Sequence, residues 1–183
     1  MYFLEYSSPP LSPKAFASIM DLCLQRSRFF SLTYHSYPWK TNELITELFK
    51  YRCRRIKTSQ WFSYYRLPDN PLEIFLYPSN SSTLTILKKH YTGFFLDNVY
   101  DKSLQWKQSL EDLCIFGEDK LIMGTVSHEM ICNVYPHDEN FRTQLMSDYG
   151  YWRYRDDDRE QICLSDYITF KKKSREKGEN TVK

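Results

Sequence analysis

The sequence predicts an α+β domain: one antiparallel, aromatic-rich β-sheet with three to five helices packed on it. Three observations lead there. A chain of 183 residues is long enough to bury about 70% of its unfolded surface in one core. Short runs of aromatic and β-branched residues, bounded by Pro, Asp, Asn or Gly, recur along it as strand signals. Between them lie stretches whose apolar residues return at helical spacing. The domain is assigned to residues 1–170. The charged stretch 171–183 has nothing to bury and reads as a disordered basic tail.

The elements follow in order. Residues 1–12 read as irregular, because Pro9, Pro10 and Pro13 interrupt any regular element. Ser12 followed by Pro13 is a helix start, and Phe16, Ile19, Met20, Cys23 and Leu24 give it an apolar stripe, predicting a helix from Pro13 to about Arg26. RFFSLTYHSY has strand character. Thr41 or Asn42 is expected to cap a second helix carrying Leu44, Ile45, Leu48 and Phe49 and ending near Lys57. SQWFSYYRL and PLEIFLYP read as two strands joined by the turn P-D-N-P. Ser81-Ser82 is expected to cap a helix through about Tyr91, closed by Gly93. Residues 97–112 show only a weak helical pattern. The clearest β segment is LCIFGEDKLIMGTVSHEMICNVYP, read as a meander of Leu113–Phe116, Leu121–Thr125 and Met130–Tyr135. Asp138 should cap a short helix with Phe141, Leu145 and Met146, closed by Gly150. A last strand or helix is placed near Gln161–Phe170.

Composition narrows the function. The 15 Tyr, 12 Phe and 4 Trp are more than a core of this size requires, and Tyr and Trp also serve contact surfaces. Five glycines argue against Gly-rich phosphate loops. No apolar run approaches the roughly 18 residues of a membrane span, and the N-terminus lacks a signal-peptide pattern. The five cysteines, Cys23, Cys53, Cys114, Cys132 and Cys163, are widely spaced without a CxxC or a Cys/His ligand set, which suits a cytoplasmic protein with free thiols.

Charge is divided along the chain. Residues 1–93 carry 12 Lys/Arg and 6 Asp/Glu, residues 94–170 carry 7 and 15, and the tail carries 6 and 2, so a total of +2 conceals blocks of +6, −8 and +4. An acidic surface steers and holds basic partners. The densest carboxylate cluster, Asp156, Asp157, Asp158 and Glu160, stands among Arg153, Arg155 and Arg159 and beside Tyr149, Tyr151, Trp152 and Tyr154. It reads as a solvated loop, a hard-metal site or a contact site for a basic partner. Its spacing fails the calcium-loop pattern. The segment KYRCRRIK is the opposite block. Its Arg52, Arg54, Arg55 and Lys57, with Trp61, Phe62, Tyr64 and Tyr65 following, suit either an internal complement to the acidic half or nucleic-acid binding.

Catalytic signals are few. No GxSxG, P-loop, HExxH or dinucleotide-binding fingerprint is present. His128 beside Glu129 is a candidate base for a small hydrolase, and Cys–His pairing is possible on inventory alone. Neither has an oriented partner in sequence, and no enzyme activity, cofactor or metal is expected.

The strand pair around L-x-x-G-T-x-S-H-E, in the meander quoted above, resembles bacterial polymorphic-toxin immunity proteins, including those of contact-dependent growth inhibition. The likeness covers about a sixth of the chain and transfers no residue roles. It implies a non-enzymatic protein that neutralises one cognate toxin domain, often a nuclease, by occluding its active site. Joined to the charge pattern, this makes Glu118, Asp119, Tyr151, Trp152, Asp156, Asp157, Asp158 and Glu160 the expected contacts to a basic toxin domain. The alternative is a nucleic-acid-associated protein working through residues 50–57.

Overall fold

The computed structural model describes residues 1–4, 12–34, 43–91, 93, 112–129, 131–147, 152–157, 159 and 161–169. The expected features at Gly150, in residues 97–111 and in the tail lie outside the described residues. What is described is an α+β fold: an eight-stranded antiparallel sheet, four α-helices on one face and a small hairpin on the other.

The chain runs β1 (Tyr2–Leu4), α1 (Pro13–Leu24), β2 (Phe29–Tyr34), α2 (Glu43–Leu48), β3 (Arg54–Thr58), β4 (Gln60–Trp61), β5 (Tyr64–Tyr65), β6 (Leu72–Pro78), α3 (Ser81–His90), β7 (Leu113–Phe116), β8 (Leu121–Val126), β9 (Ile131–Val134), α4 (Glu139–Ser147) and β10 (Trp152–Tyr154). Strand order across the sheet is β10-β1-β9-β8-β7-β2-β6-β3.

The helices begin where local chemistry satisfies their first N–H groups. The Ala15 N–H donates to the Ser12 hydroxyl (3.1 Å), and Pro13 occupies the first turn. Asn80 and Thr83 form a reciprocal capping box on α3. The Phe141 N–H donates to the Asp138 carboxylate (2.6 Å) at the start of α4. The stripe Phe16, Ile19, Met20, Cys23 and Leu24 is buried as the spacing requires.

Both faces of the sheet are covered. On the helix face, Phe30, Leu32, Phe75, Tyr77, Met123 and Val134 pack under α1–α4. On the other, Ile74, Leu76, Cys114, Phe116 and Val126 pack under the β4–β5 hairpin and residues 161–169. Trp61 links these covers: its ring lies 5.8 Å from that of Phe116 and 4.7 Å from that of Tyr167. Double coverage explains why β7 and β8 are buried at every position instead of alternating.

Four expectations are corrected. Tyr2–Leu4, read as irregular, is a strand between β9 and β10. The second helix stops at Leu48, a 3₁₀ turn covers Phe49–Tyr51, and Arg54–Thr58 is an edge strand paired with β6. β-Branched Ile56 has Ile74 of the neighbouring strand to pack against, and this pairing outweighs the local helical pattern. SQWFSYYRL is a self-contained hairpin turning at Phe62-Ser63, with Ser63 at φ 52; β6 pairs instead with β2 and β3. Asn80, not Ser81, caps α3, and no described glycine, Gly93 included, adopts a left-handed conformation. The meander and the short helix after Asp138 form as expected: the first strand matches, the second runs one residue further and the third is one residue shorter at each end.

Candidate functional site

The register places four of the eight expected contact residues at one end of the sheet. Phe29 stands opposite both Pro78 and Phe116, Phe116 opposite Leu121, and Tyr2 opposite both Val134 and Tyr154. The β7–β8 turn and the exit from β10 therefore lie at the same end of the sheet. Glu118 and Asp119 share that end with Asp156 and Asp157. Residues 161–164 return to it: the Leu121 N–H donates to the Ile162 carbonyl (3.0 Å) and the Gln161 amide to the Leu121 carbonyl (2.9 Å).

The carboxylates there are individually engaged. Glu118 pairs with Arg28 at 2.6 Å, both side chains well exposed. Asp119 accepts from the Ser165 N–H (2.7 Å) and hydroxyl (2.9 Å), fastening residues 161–169 over the sheet. Asp157 is gripped by both the side chain and the backbone N–H of Arg159, which holds its carboxyl well below the usual carboxylate range. Asp156 accepts from the Tyr154 hydroxyl (3.2 Å). Tyr154 is itself 60% exposed. Beside it an open groove of about 340 Å³ is lined by Tyr2, Glu139, Arg142, Thr143 and Met146. Trp152 is elsewhere: it lies towards the opposite end of β10, 2% exposed, with its ring in the helix-side core. Tyr151, Asp158 and Glu160 lie outside the described residues.

The basic segment is divided differently. In β3, Arg54 faces the hairpin side with Ile56, whereas Arg55 and Lys57 face the helix side. Arg55 pairs with Glu73 of the neighbouring strand. The expected complement to the acidic half is absent among the described residues, since Glu73 belongs to the basic half. Trp61 and Phe62 are buried, leaving Tyr65 76% exposed.

Large exposed hydrophobic side chains mark where the molecule meets others. Among the described residues they are Phe49, Tyr65, Leu67, Met146 and Tyr154. The first three accompany the β3 edge and the last two the β10 edge, so both margins of the sheet are candidate contact surfaces.

Chemistry is less well provided. Burial pushes the Cys23 and Cys114 thiols up to about 12 and that of Cys132 well above its ordinary value, and desolvation also raises Cys53 and Cys163. No thiol is activated as a nucleophile. The backbone of Ser127–Glu129 forms a 3₁₀ turn, and the His128 side chain lies outside what is described. Among the described residues no group of His, Cys, Asp and Glu could hold a metal ion, and no helix is long and apolar enough to cross a membrane.

One polar cluster escapes sequence reading. Asp112, 3% exposed, accepts from the Tyr64 hydroxyl and from the Ser127 N–H (2.6 Å). Burial, then the charge of Asp112, raises the Tyr64 pKa far above that of a free phenol. Thr125 Oγ1, nearby, meets both polar groups of the Leu113 backbone. The arrangement fastens the β4–β5 hairpin to the turn after β8, and its groups satisfy one another as a structural tie. No sequence motif signals it, because Tyr64 and Asp112 meet only through the folded sheet.

No protein-family model, curated protein or solved structure matches this chain.

Proposed function

We propose that this chain is a binding protein of the toxin-immunity kind, which neutralises a cognate toxin domain by covering it. The observation that supports the reading is that Glu118, Asp156 and Asp157, from separate parts of the sequence, stand at one end of the sheet, where exposed Tyr154 donates to Asp156. Their present partners do not preclude a role in binding. Exposed ion pairs such as Glu118–Arg28 contribute little to stability, so exchanging an internal cation for a partner's costs little. Charges at the rim accelerate encounter, while Tyr154 and Met146 provide apolar area that slows dissociation. Asp119 is assigned to the fold, since it fastens residues 161–169.

The test is co-expression with the product of the gene immediately upstream, followed by copurification and a growth assay. A cognate pair should elute together, and this chain should rescue growth. Replacing Glu118, Asp156 and Asp157 with Ala should weaken the complex about tenfold, mainly through slower association, and flatten its salt dependence. A harmless neighbour with no complex, or an unchanged affinity and salt slope in the triple variant, overturns the reading.

A further inference from the structure

We infer that the β3 edge is a binding surface for single-stranded nucleic acid. The inference is independent of the proposed protein contact, which lies at another part of the sheet.

The argument starts from charge left without a carboxylate. Among the described residues Lys50, Arg52, Arg54 and Lys57 form no ion pair. Arg52 instead lies over two rings, its guanidinium carbon 4.7 Å from the Phe49 centroid and 4.9 Å from that of Phe75. Lys50 lies over Tyr51 at 5.0 Å, and Arg54 reaches only the Cys53 carbonyl. A ring contact does not neutralise a guanidinium or ammonium charge, and the planar guanidinium fork retains N–H donors that can bind phosphate.

Position adds to this. β3 is the last strand at its margin of the sheet among the described residues. Five residues of strand make a ridge about 17 Å long. Its cations lie on both faces and in the approach to it. Exposed rings stand at both ends: Phe49, 41% exposed, precedes the strand, and Tyr65 follows it. Tyr65 is kept there because the Arg66 N–H donates to the Ser59 carbonyl (2.7 Å), just beyond Thr58. A basic track with exposed aromatic platforms suits a phosphodiester chain whose bases can stack.

An acidic protein segment fits less well. Adding a strand to β3 requires a fixed register, and charged side chains on an edge strand oppose such addition. Arg55, one of the two helix-face cations, is already engaged by Glu73. A flexible polyanion needs no register.

The experiment titrates the full chain into a fluorescent single-stranded oligonucleotide of about 12 nucleotides over a salt series, read by anisotropy. Binding should weaken with salt with a log–log slope of about −2 to −3, as three or four phosphate contacts predict. The double variant Arg54→Gln/Lys57→Gln, exposed positions that leave the core intact, should reduce the magnitude of the slope by about 1 to 1.5. Tyr65→Ala should weaken binding about tenfold with the slope unchanged. Asp156→Asn, away from the ridge, should not weaken binding. Failure to bind at low salt overturns the inference. So does equal displacement by polyglutamate combined with indifference to Tyr65→Ala, which would make the ridge a generic acid-binding surface.

Discussion

Gly124 offers a sharp test of how the two faces of the sheet are assembled. It lies on β8 opposite Cys114 and Asn133, in ordinary extended backbone, so it is not required for a left-handed conformation. It is required for space. A Cβ at this position would stand 2.7 Å from Cδ1 of Phe62 and 2.8 Å from Cε1 and Cγ. Carbon contacts settle near 3.5–4.0 Å, so the ring would have to withdraw by about 1 Å. Phe62 is 1% exposed at the turn of the β4–β5 hairpin, with no open space to enter. Gly124→Ala should therefore cost about 1–3 kcal/mol by overpacking. Phe62→Ala should cost about 3–5 kcal/mol and remove the obstacle. In that background the effect of Gly124→Ala should change sign, because alanine in a strand is favoured over glycine by about 0.5–1 kcal/mol. Urea unfolding of the four proteins, read as shifts in midpoint at constant slope, gives the cycle. Additive effects, with Gly124→Ala equally costly in both backgrounds, would refute the packing argument.

Two further outcomes follow from buried polar groups. Cys23 and Cys114 have ordinary values near 9 in the unfolded chain and are raised to about 12 in the fold. Because the folded values are raised, the stability they carry is whole below about pH 9 and is lost as pH climbs towards 12; at pH 10 the two together have forfeited about 3 kcal/mol. The urea midpoint should fall between about pH 8 and pH 10, and a constant midpoint would contradict the burial of these thiols. Asp112→Ala should destabilise by about 2–4 kcal/mol, since it removes the acceptor of the Tyr64 hydroxyl and of the buried Ser127 N–H. Asp112→Asn, which keeps an acceptor oxygen, should cost less, and equal losses in the two variants would mean that the acceptor is not what matters.

Where local rules govern, the fold is legible from sequence. Ser12-Pro13 states the start of α1, Asp138 that of α4, and the β7–β9 meander is bounded by its own turn residues. Reading failed where tertiary pairing overrides local preference. The apolar residues of α2 run without a break into KYRCRRIK, and nothing local says that Ile56 will find Ile74 and become part of a strand. Tyr2–Leu4 has only three strand residues and is defined entirely by its neighbours β9 and β10. The glycine in L-x-x-G-T is intelligible only once Phe62, far back in the sequence, lies on it. The strands that carry the toxin-immunity resemblance are the buried middle of the sheet, so that likeness lies in packing residues and not at either margin.

The candidate surfaces show why charge summed along a sequence differs from charge offered to a partner. The acidic half contains its own local counter-charges. Asp157 and Arg159 stand two residues apart and Glu139 and Arg142 three apart, so each pair closes within a single turn. Arg28 reaches across from β2 to engage Glu118. The two internal pairs leave the net charge of residues 94–170 at −8, and Arg28 offsets one further unit, so the deficit remains while several of its carboxylates already have partners. The basic block cannot answer itself in this way. Arg52, Arg54, Arg55 and Lys57 are surrounded in sequence by other cations, and among the described residues the strand that contains three of them borders only β6, whose Glu73 engages Arg55. Placing a like-charged strand at the margin of a sheet leaves its field turned outward, where it opposes strand addition and attracts polyanions. On this argument the acidic end would set how fast the proposed protein partner arrives, through pairs that exchange at little cost. The β3 margin is where a bound polyanion would contribute net electrostatic stabilisation, because Arg52, Arg54 and Lys57 have no carboxylate among the described residues to give up.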